Sequence, residues 1–177
     1  MILDFFENSI NLKNIPRQGW RDKLSMKHPE SVSDHSYSVA IMCMVISDMQ
    51  NLNSEKILKM ALLHDLAESQ IGDFTPDQID KEEKKKIENT AFEKITKYLP
   101  EEIKIKYLEI WADYQENISE ESKIVHQIDK LEMALQAKKY QKEGYDKEKL
   151  QQFFDSAKEE ITNSQLKELF IQIINEK

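Results

Sequence analysis

The chain has 177 residues, 40% hydrophobic and 33% charged, which suits one domain spanning residues 1–177 with a core of its own. Its formal net charge of −8 opposes a nucleic acid polymer or an anionic membrane as partner and favours a small molecule. Three glycines and four prolines are too few for a turn-dense β fold, and a single cysteine, Cys43, excludes an internal disulfide.

An apolar residue recurs every three or four positions among Lys and Glu, so the expected fold is all-α, a compact bundle of about seven to nine helices. No stretch approaches the roughly 18 continuous apolar residues of a membrane span. The N-terminus lacks a signal-peptide pattern, since Asp4 and Glu7 interrupt it. A reducing, cytoplasmic setting is expected, with Cys43 as a small core residue.

Met1 to about Asn11 predicts an amphipathic helix with Ile2, Phe5, Phe6 and Ile10 on one side. An irregular segment follows from Leu12 to Ser33, carrying Pro16, Arg17, Gly19, Trp20, Arg21, His28 and Pro29. Its length points to a functional connection. Ser33 or Asp34 can cap the next helix, which runs to about Gln50 and is apolar nearly all round, so it is expected to be central.

Ser54 is the expected cap of a helix whose buried stripe is Ile57, Leu58, Ala61 and Leu62 and which carries His64-Asp65. Gly72 ends that segment, and Asp73-Phe74-Thr75-Pro76 reads as a turn with a new helical start. Asp80 and Glu83 open a charged helix ending near Leu99, with Lys81 to Lys86 as a solvated face. Pro100 opens another, with Ile103, Tyr107, Leu108 and Trp111 inward. Ser119 caps a helix that Gly144 terminates, and helices over 146–163 and from Ser164 onward complete the chain.

The chemistry is concentrated around Leu63-His64-Asp65-Leu66-Ala67-Glu68. On a helix, residues three and four apart share a flank, so Glu68 leans toward the His64-Asp65 pair. Imidazole beside carboxylate suits a divalent metal, and an acid one turn on suits proton handling for a water. His35 lies in the first turn of its helix. Asp129 lies between Ile128 and Leu131, where an ionised carboxylate is costly unless it is paired or metal-bound. Taken singly, each residue is better explained by a hydrogen bond or an ion pair; the set is what points to a site.

In order, His35, His64-Asp65 and Asp129 on successive helices resemble the HD-domain metal-dependent phosphohydrolases. Further blocks are similar to the 5′-deoxynucleotidase branch: Pro16-Arg17-Gln18-Gly19-Trp20, Pro29 through Ser36, Leu63 through Glu68, Gly72-Asp73, and Gln127-Ile128-Asp129-Lys130-Leu131-Glu132. The similarity runs from about Leu12 to Phe154. The segment between Trp20 and Pro29 is one residue longer than is usual there, and His126 stands where the family pattern has lysine.

The resemblance implies one divalent ion, such as Mn²⁺, Co²⁺ or Zn²⁺, held by His35, His64, Asp65 and Asp129. It implies hydrolysis of deoxyribonucleoside 5′-monophosphates, with Glu68 and Asp73 as acids whose roles as base and acid stay open. Arg17 would clamp the phosphate, Trp20 would pack on the nucleotide, and the turn from Asp73 to Thr75 would contact the sugar. A homodimer is expected, with Trp111 and the C-terminal aromatic residues as a face or as core. Two alternatives remain open: an HD phosphohydrolase of another nucleotide, and a helical binding module without activity.

Overall fold

The computed structural model describes residues 1–176. Ten α-helical segments occur among them: α1 (Ile2–Asn11), α2 (Gln18–Leu24), α3 (Val32–Gln50), α4 (Ser54–Leu63), α5 (Glu68–Ile71), α6 (Lys81–Thr96), α7 (Glu101–Glu116), α8 (Glu120–Lys142), α9 (Lys147–Glu160) and α10 (Ser164–Asn175). Of these, α5 is a single turn of 4 residues. The described residues contain no β-strand, only an isolated antiparallel bridge between Pro16 and Ser31. None of their helices is long and apolar enough to cross a membrane.

The caps follow hydrogen-bonding chemistry closely, with shifts from the expected residues. α3 begins at Ser31: its hydroxyl accepts from Asp34 N–H at 3.1 Å while Asp34 accepts the Ser31 N–H at 2.9 Å. This reciprocal box satisfies two donors that a helix start leaves orphaned, and Ser33 or Asp34 as cap satisfies fewer. Asn53, not Ser54, caps α4. Asp80 and Ser119 cap α6 and α8 as expected. No helix starts at Pro76; the chain stays in turns until Lys81.

α3 is central, packing on α4 and α8, while α8 also carries α9 and α10. The main core joins Val39, Cys43, Ile57, Ala61, Val125, Ile128, Leu150 and Leu166, all buried. A second cluster under α6 and α7 gathers Leu12, Val32, Leu63, Phe92, Ile95 and Trp111. There the Phe92 and Trp111 rings stack 4.1 Å apart at 8°, and Trp111 Nε1–H donates to Asn89. Each such large side chain contributes about 1.5–3 kcal/mol by burial. Trp111 is therefore core, as are the C-terminal Phe154 and Phe170, and none of them offers a dimer face.

Three sequence readings need correction. α3 is apolar all round but not buried all round: Ile41, Met44, Val45 and Met49 are exposed. On α4 the buried set is Ile57, Met60, Ala61 and Leu63, and Leu62 faces solvent. The segment after Asn11 is less irregular than its prolines suggested, holding a 3₁₀ turn at Leu12–Asn14 and then α2.

Candidate active site

His35, His64 and Asp129 converge from three helical segments, each offering a ligand atom within 4.8 Å of the others. His35 is at 0% exposure in the first full turn of α3, which the Ser31 cap aims inward. Its Nε2 lies 3.0 Å from Asp129 Oδ1 and 3.7 Å from Asp65 Oδ2. His64 Nε2 lies 3.1 Å from Asp65 Oδ2. Ligands at about 2.0–2.2 Å from a common ion stand roughly 3–3.5 Å apart, so these separations suit the edges of one coordination shell.

The α4 ladder ends at Leu63, and i→i+3 bonds take over: Leu66 N–H to Leu63 O, Glu68 N–H to Asp65 O and Ser69 N–H to Leu66 O. This tightening turns the His64-Asp65 pair, expected in mid-helix, out of an α-helix and into the cavity. The far nitrogen of each imidazole is engaged. His64 Nδ1 donates to Ala61 O at 2.6 Å, and His35 Nδ1 to Glu132 Oε2 at 2.7 Å. Such bonds select the tautomer whose Nε2 lone pair faces the site.

His35 Nε2, His64 Nε2 and Asp65 Oδ2 are buried without hydrogen-bond partners. Buried polar atoms are rarely left so, and three of them converging with Asp129 fit a divalent cation. Burial and the Arg17 charge push the His35 pKa down, but the adjacent carboxylates of Asp129 and Glu132 outweigh them and hold it at about 9. Burial raises the Asp129 pKa; Lys130, His35 and Arg17 overcome it and hold the carboxyl well below its usual range. The carboxylates of the cluster are held ionised, and an ion bound there would have to displace protons from imidazole.

Around the ligand cluster stand an arginine and two further acids. Arg17 is placed by backbone pairing, its N–H donating to Glu30 O at 3.0 Å while Val32 N–H donates to Ile15 O at 2.8 Å. Its Nη1 lies 3.8 Å from Asp65 Oδ2 and 3.7 Å from Asp73 Oδ2. Asp73 Oδ2 accepts the Gln18 N–H at 2.8 Å. The chain reaches Asp73 through Gly72 at φ +83°, a conformation that side chains other than hydrogen resist.

Glu68 is 1% exposed, with Oε1 at 3.4 Å from Lys84 Nζ and Oε2 without a partner. Burial first, then the Asp65 and Asp73 charges, push its pKa well above the usual carboxylate range. Thr75 is buried at 8%, its N–H donating to Gln78 and its hydroxyl unpartnered.

Trp20 is not at the cavity surface. It is 2% exposed, its ring enclosed by Phe153 at 4.2 Å and Tyr140 at 5.2 Å, and its N–H donates to Glu30 at 2.8 Å. The expected packing on a nucleotide is therefore corrected to a core role, because the ring is buried against Phe153 and Tyr140. His126 stacks on Tyr114 at 4.1 Å and 10°, with Nε2 at 2.9 Å from Tyr114 O, and the Tyr114 ring in turn lies 5.8 Å from that of His64.

Two participants had no role in the sequence reading. Glu132 was visible only as the end of the Gln127-to-Glu132 block. Lys84 was hidden in the charged run read as a solvated face, and instead turns inward to Glu68 and to Phe74 O at 3.1 Å.

The family described as HD domain matches residues 10–169. The chain is 40% identical over 169 residues to the human protein named 5′-deoxynucleotidase HDDC2, covering 95% of this chain and 82% of that one. It is also 40% identical over 182 residues to the Dictyostelium discoideum protein of that name, covering 97% and 95%. Among solved structures it is similar to the PH0347 protein from Pyrococcus horikoshii OT3, with TM-score 0.79, 33% identity and coverage of 99% and 96%.

Proposed function

Since the chain belongs to the HD domain family, we infer that it is a metal-dependent phosphomonoesterase hydrolysing deoxyribonucleoside 5′-monophosphates to deoxynucleoside and phosphate. The observation that carries this reading is the meeting of His35, His64, Asp65 and Asp129, with three unpartnered buried atoms among them, beside Arg17 and Glu68. The relatives that share the chain's length are named for that activity.

The four ligands would hold a divalent ion, which supplies Lewis-acid charge to the phosphate and acidifies water. Two imidazoles and two carboxylates suit Mn²⁺, Co²⁺ or Zn²⁺. Arg17 presents a planar cation to the phosphate oxygens and trades its contacts to Asp65 and Asp73 for them. Glu68 Oε2, buried and free, takes the proton of the attacking water.

Asp73 is held by the Gln18 N–H, and its part is to steer Arg17 and the turn that follows. That turn, through Thr75, would contact the sugar, where a close fit would exclude a 2′-hydroxyl. Exclusion of bulk water from the Glu68 side strengthens each of these charge contacts.

The chain is read as a cytoplasmic homodimer, and the support is the exposed apolar stripe Tyr37, Ile41, Met44, Val45 and Met49 on α3. Sedimentation velocity tests it, a monomer at every concentration being the contrary result. The activity is tested by phosphate release from deoxy- and ribonucleoside 5′-monophosphates with Mn²⁺, Co²⁺ or Zn²⁺. Turnover of the deoxy series ahead of the ribo series is expected, and the reverse preference would overturn the substrate assignment. Glu68→Ala is expected to keep the metal and lose turnover by about 100-fold or more; loss of metal would make Glu68 a ligand.

A further inference from the structure

Lys84 is the one basic side chain of the Lys81–Lys86 run whose ammonium group reaches the site. Its Nζ lies 3.4 Å from Glu68 Oε1 and 3.1 Å from the carbonyl oxygen of Phe74. It is also 3.4 Å from Glu88 Oε1, one turn along α6. Glu88 is held in turn, its Oε2 accepting from Gln115 Nε2 of α7 at 3.2 Å.

A compact ammonium has three donors and no acceptor. Here all three directions are taken by oxygens: the Glu68 carboxylate, the backbone of the turn that carries Asp73 and Thr75, and the Glu88 carboxylate of α6, which α7 braces. The Glu68 carboxylate is thereby asymmetric. Oε1 is tied to Lys84, while Oε2 is buried with no partner. Without that tie, the carboxylate could rotate and present either oxygen, or turn from the cavity.

We propose that Lys84 is a positioning residue for the hydrolysis: it holds Glu68 by Oε1 so that Oε2 faces the attacking water, and it ties Glu68 to the sugar-side turn through Phe74 O. Glu88 of the same helix, itself held by Gln115 of α7, aims the ammonium. Lys84 acts through Glu68 and touches no reacting atom. This rests on the reading of the chain as a 5′-deoxynucleotidase with Glu68 as its proton-handling group.

Because Lys84 acts through Glu68, removing one should make the other redundant, and a double-mutant cycle reads this directly. Phosphate release from a deoxyribonucleoside monophosphate with Mn²⁺ is measured for wild type, Lys84→Met, Glu68→Gln and the double variant. Methionine keeps the length and apolar stem while removing the charge. In the wild-type background Lys84→Met is expected to lower kcat by about tenfold or more. In the Glu68→Gln background the same change should cost less than about twofold.

Lys84→Arg, which keeps the charge and adds donors, should restore most of kcat, and bound Mn²⁺ should be unchanged throughout. An equal loss in both backgrounds, or an unchanged kcat in Lys84→Met, overturns the proposal. If Lys84→Met does not fold, the cycle is run with Lys84→Gln, and the same two outcomes decide. A wild type that turns over no nucleoside monophosphate with any of the three metals overturns the functional reading and this inference with it. Failure of the cycle in an active enzyme overturns the inference alone.

Discussion

Glu132 Oε2 lies 2.7 Å from Nδ1 of His35, two buried side chains brought together from positions 97 residues apart in the chain. The contact commits the proton to Nδ1 and leaves Nε2 as the metal-facing lone pair. Glu132→Ala frees the ring to turn and removes the acceptor. Affinity for Mn²⁺ or Co²⁺ is expected to fall about 10- to 100-fold, with Glu132→Gln between the variant and wild type. Isothermal titration calorimetry checks this, and unchanged affinity in the alanine variant would show that His35 is oriented by packing alone.

Arg17 stands 3.7 Å from Asp73 and 3.8 Å from Asp65, at the rim of the ligand cluster. Hydrogen bonds to charged groups contribute about 1.5–3 kcal/mol, so Arg17→Ala should cost about 10- to 100-fold in kcat/KM. Lysine keeps the charge but not the planar fork, and Arg17→Lys should recover only part. Competitive inhibition by inorganic phosphate should weaken in parallel. Normal phosphate inhibition with reduced turnover would place Arg17 elsewhere in the reaction.

Asp113 joins α7 to the start of α8, pairing with Lys56 at 2.7 Å and accepting from Ser119 N–H at 2.9 Å and its hydroxyl at 2.6 Å. Burial pushes the Asp113 pKa up, but these partners outweigh it and pull it from 3.8 down to about 2. The folded value is the lower one, so the stability it contributes is present above the unfolded value and fades as pH falls toward about 2. Asp113→Asn should lower stability by roughly 1–2 kcal/mol at neutral pH, allowing for solvent screening, with the gap to wild type closing in acid. Urea midpoints across that range measure it; a gap constant with pH would assign the effect to packing.

Cys43 is at 0% exposure in α3, and burial pushes its thiol up to about 12. The thiolate is the reactive form, so the native protein should resist alkylation at about pH 8 and react fully once unfolded. Mass spectrometry after iodoacetamide treatment, with and without denaturant, reads the difference. Fast labelling of the native chain would mean that α3 opens from α8 on the labelling timescale.

Much of the site was legible because its signals are local. His64-Asp65 with Glu68, the early-turn His35 and the isolated Asp129 can be seen in short windows, and the structure brings His35, His64, Asp65 and Asp129 into one cluster. Trp20 misled for a matching reason: a tryptophan in a Pro- and Gly-bearing segment reads as exposed, and only α2 and the rings of Phe153 and Tyr140 bury it. Lys84 looks like its neighbours Lys85 and Lys86, since nothing in a charged run marks which side chain turns inward.

Helix content, the Asp80 and Ser119 caps and the order of the site residues were written in the chain alone, because apolar period and side-chain-to-backbone hydrogen bonds act over a few residues. The tertiary structure decided the rest. It gave His35 an acceptor for its far nitrogen in Glu132, set Arg17 beside Asp65 and Asp73, and chose Lys84 to hold Glu68. Those choices depend on which groups meet across distant segments in a water-poor interior, where an unpartnered charge is costly and each partner is set by packing.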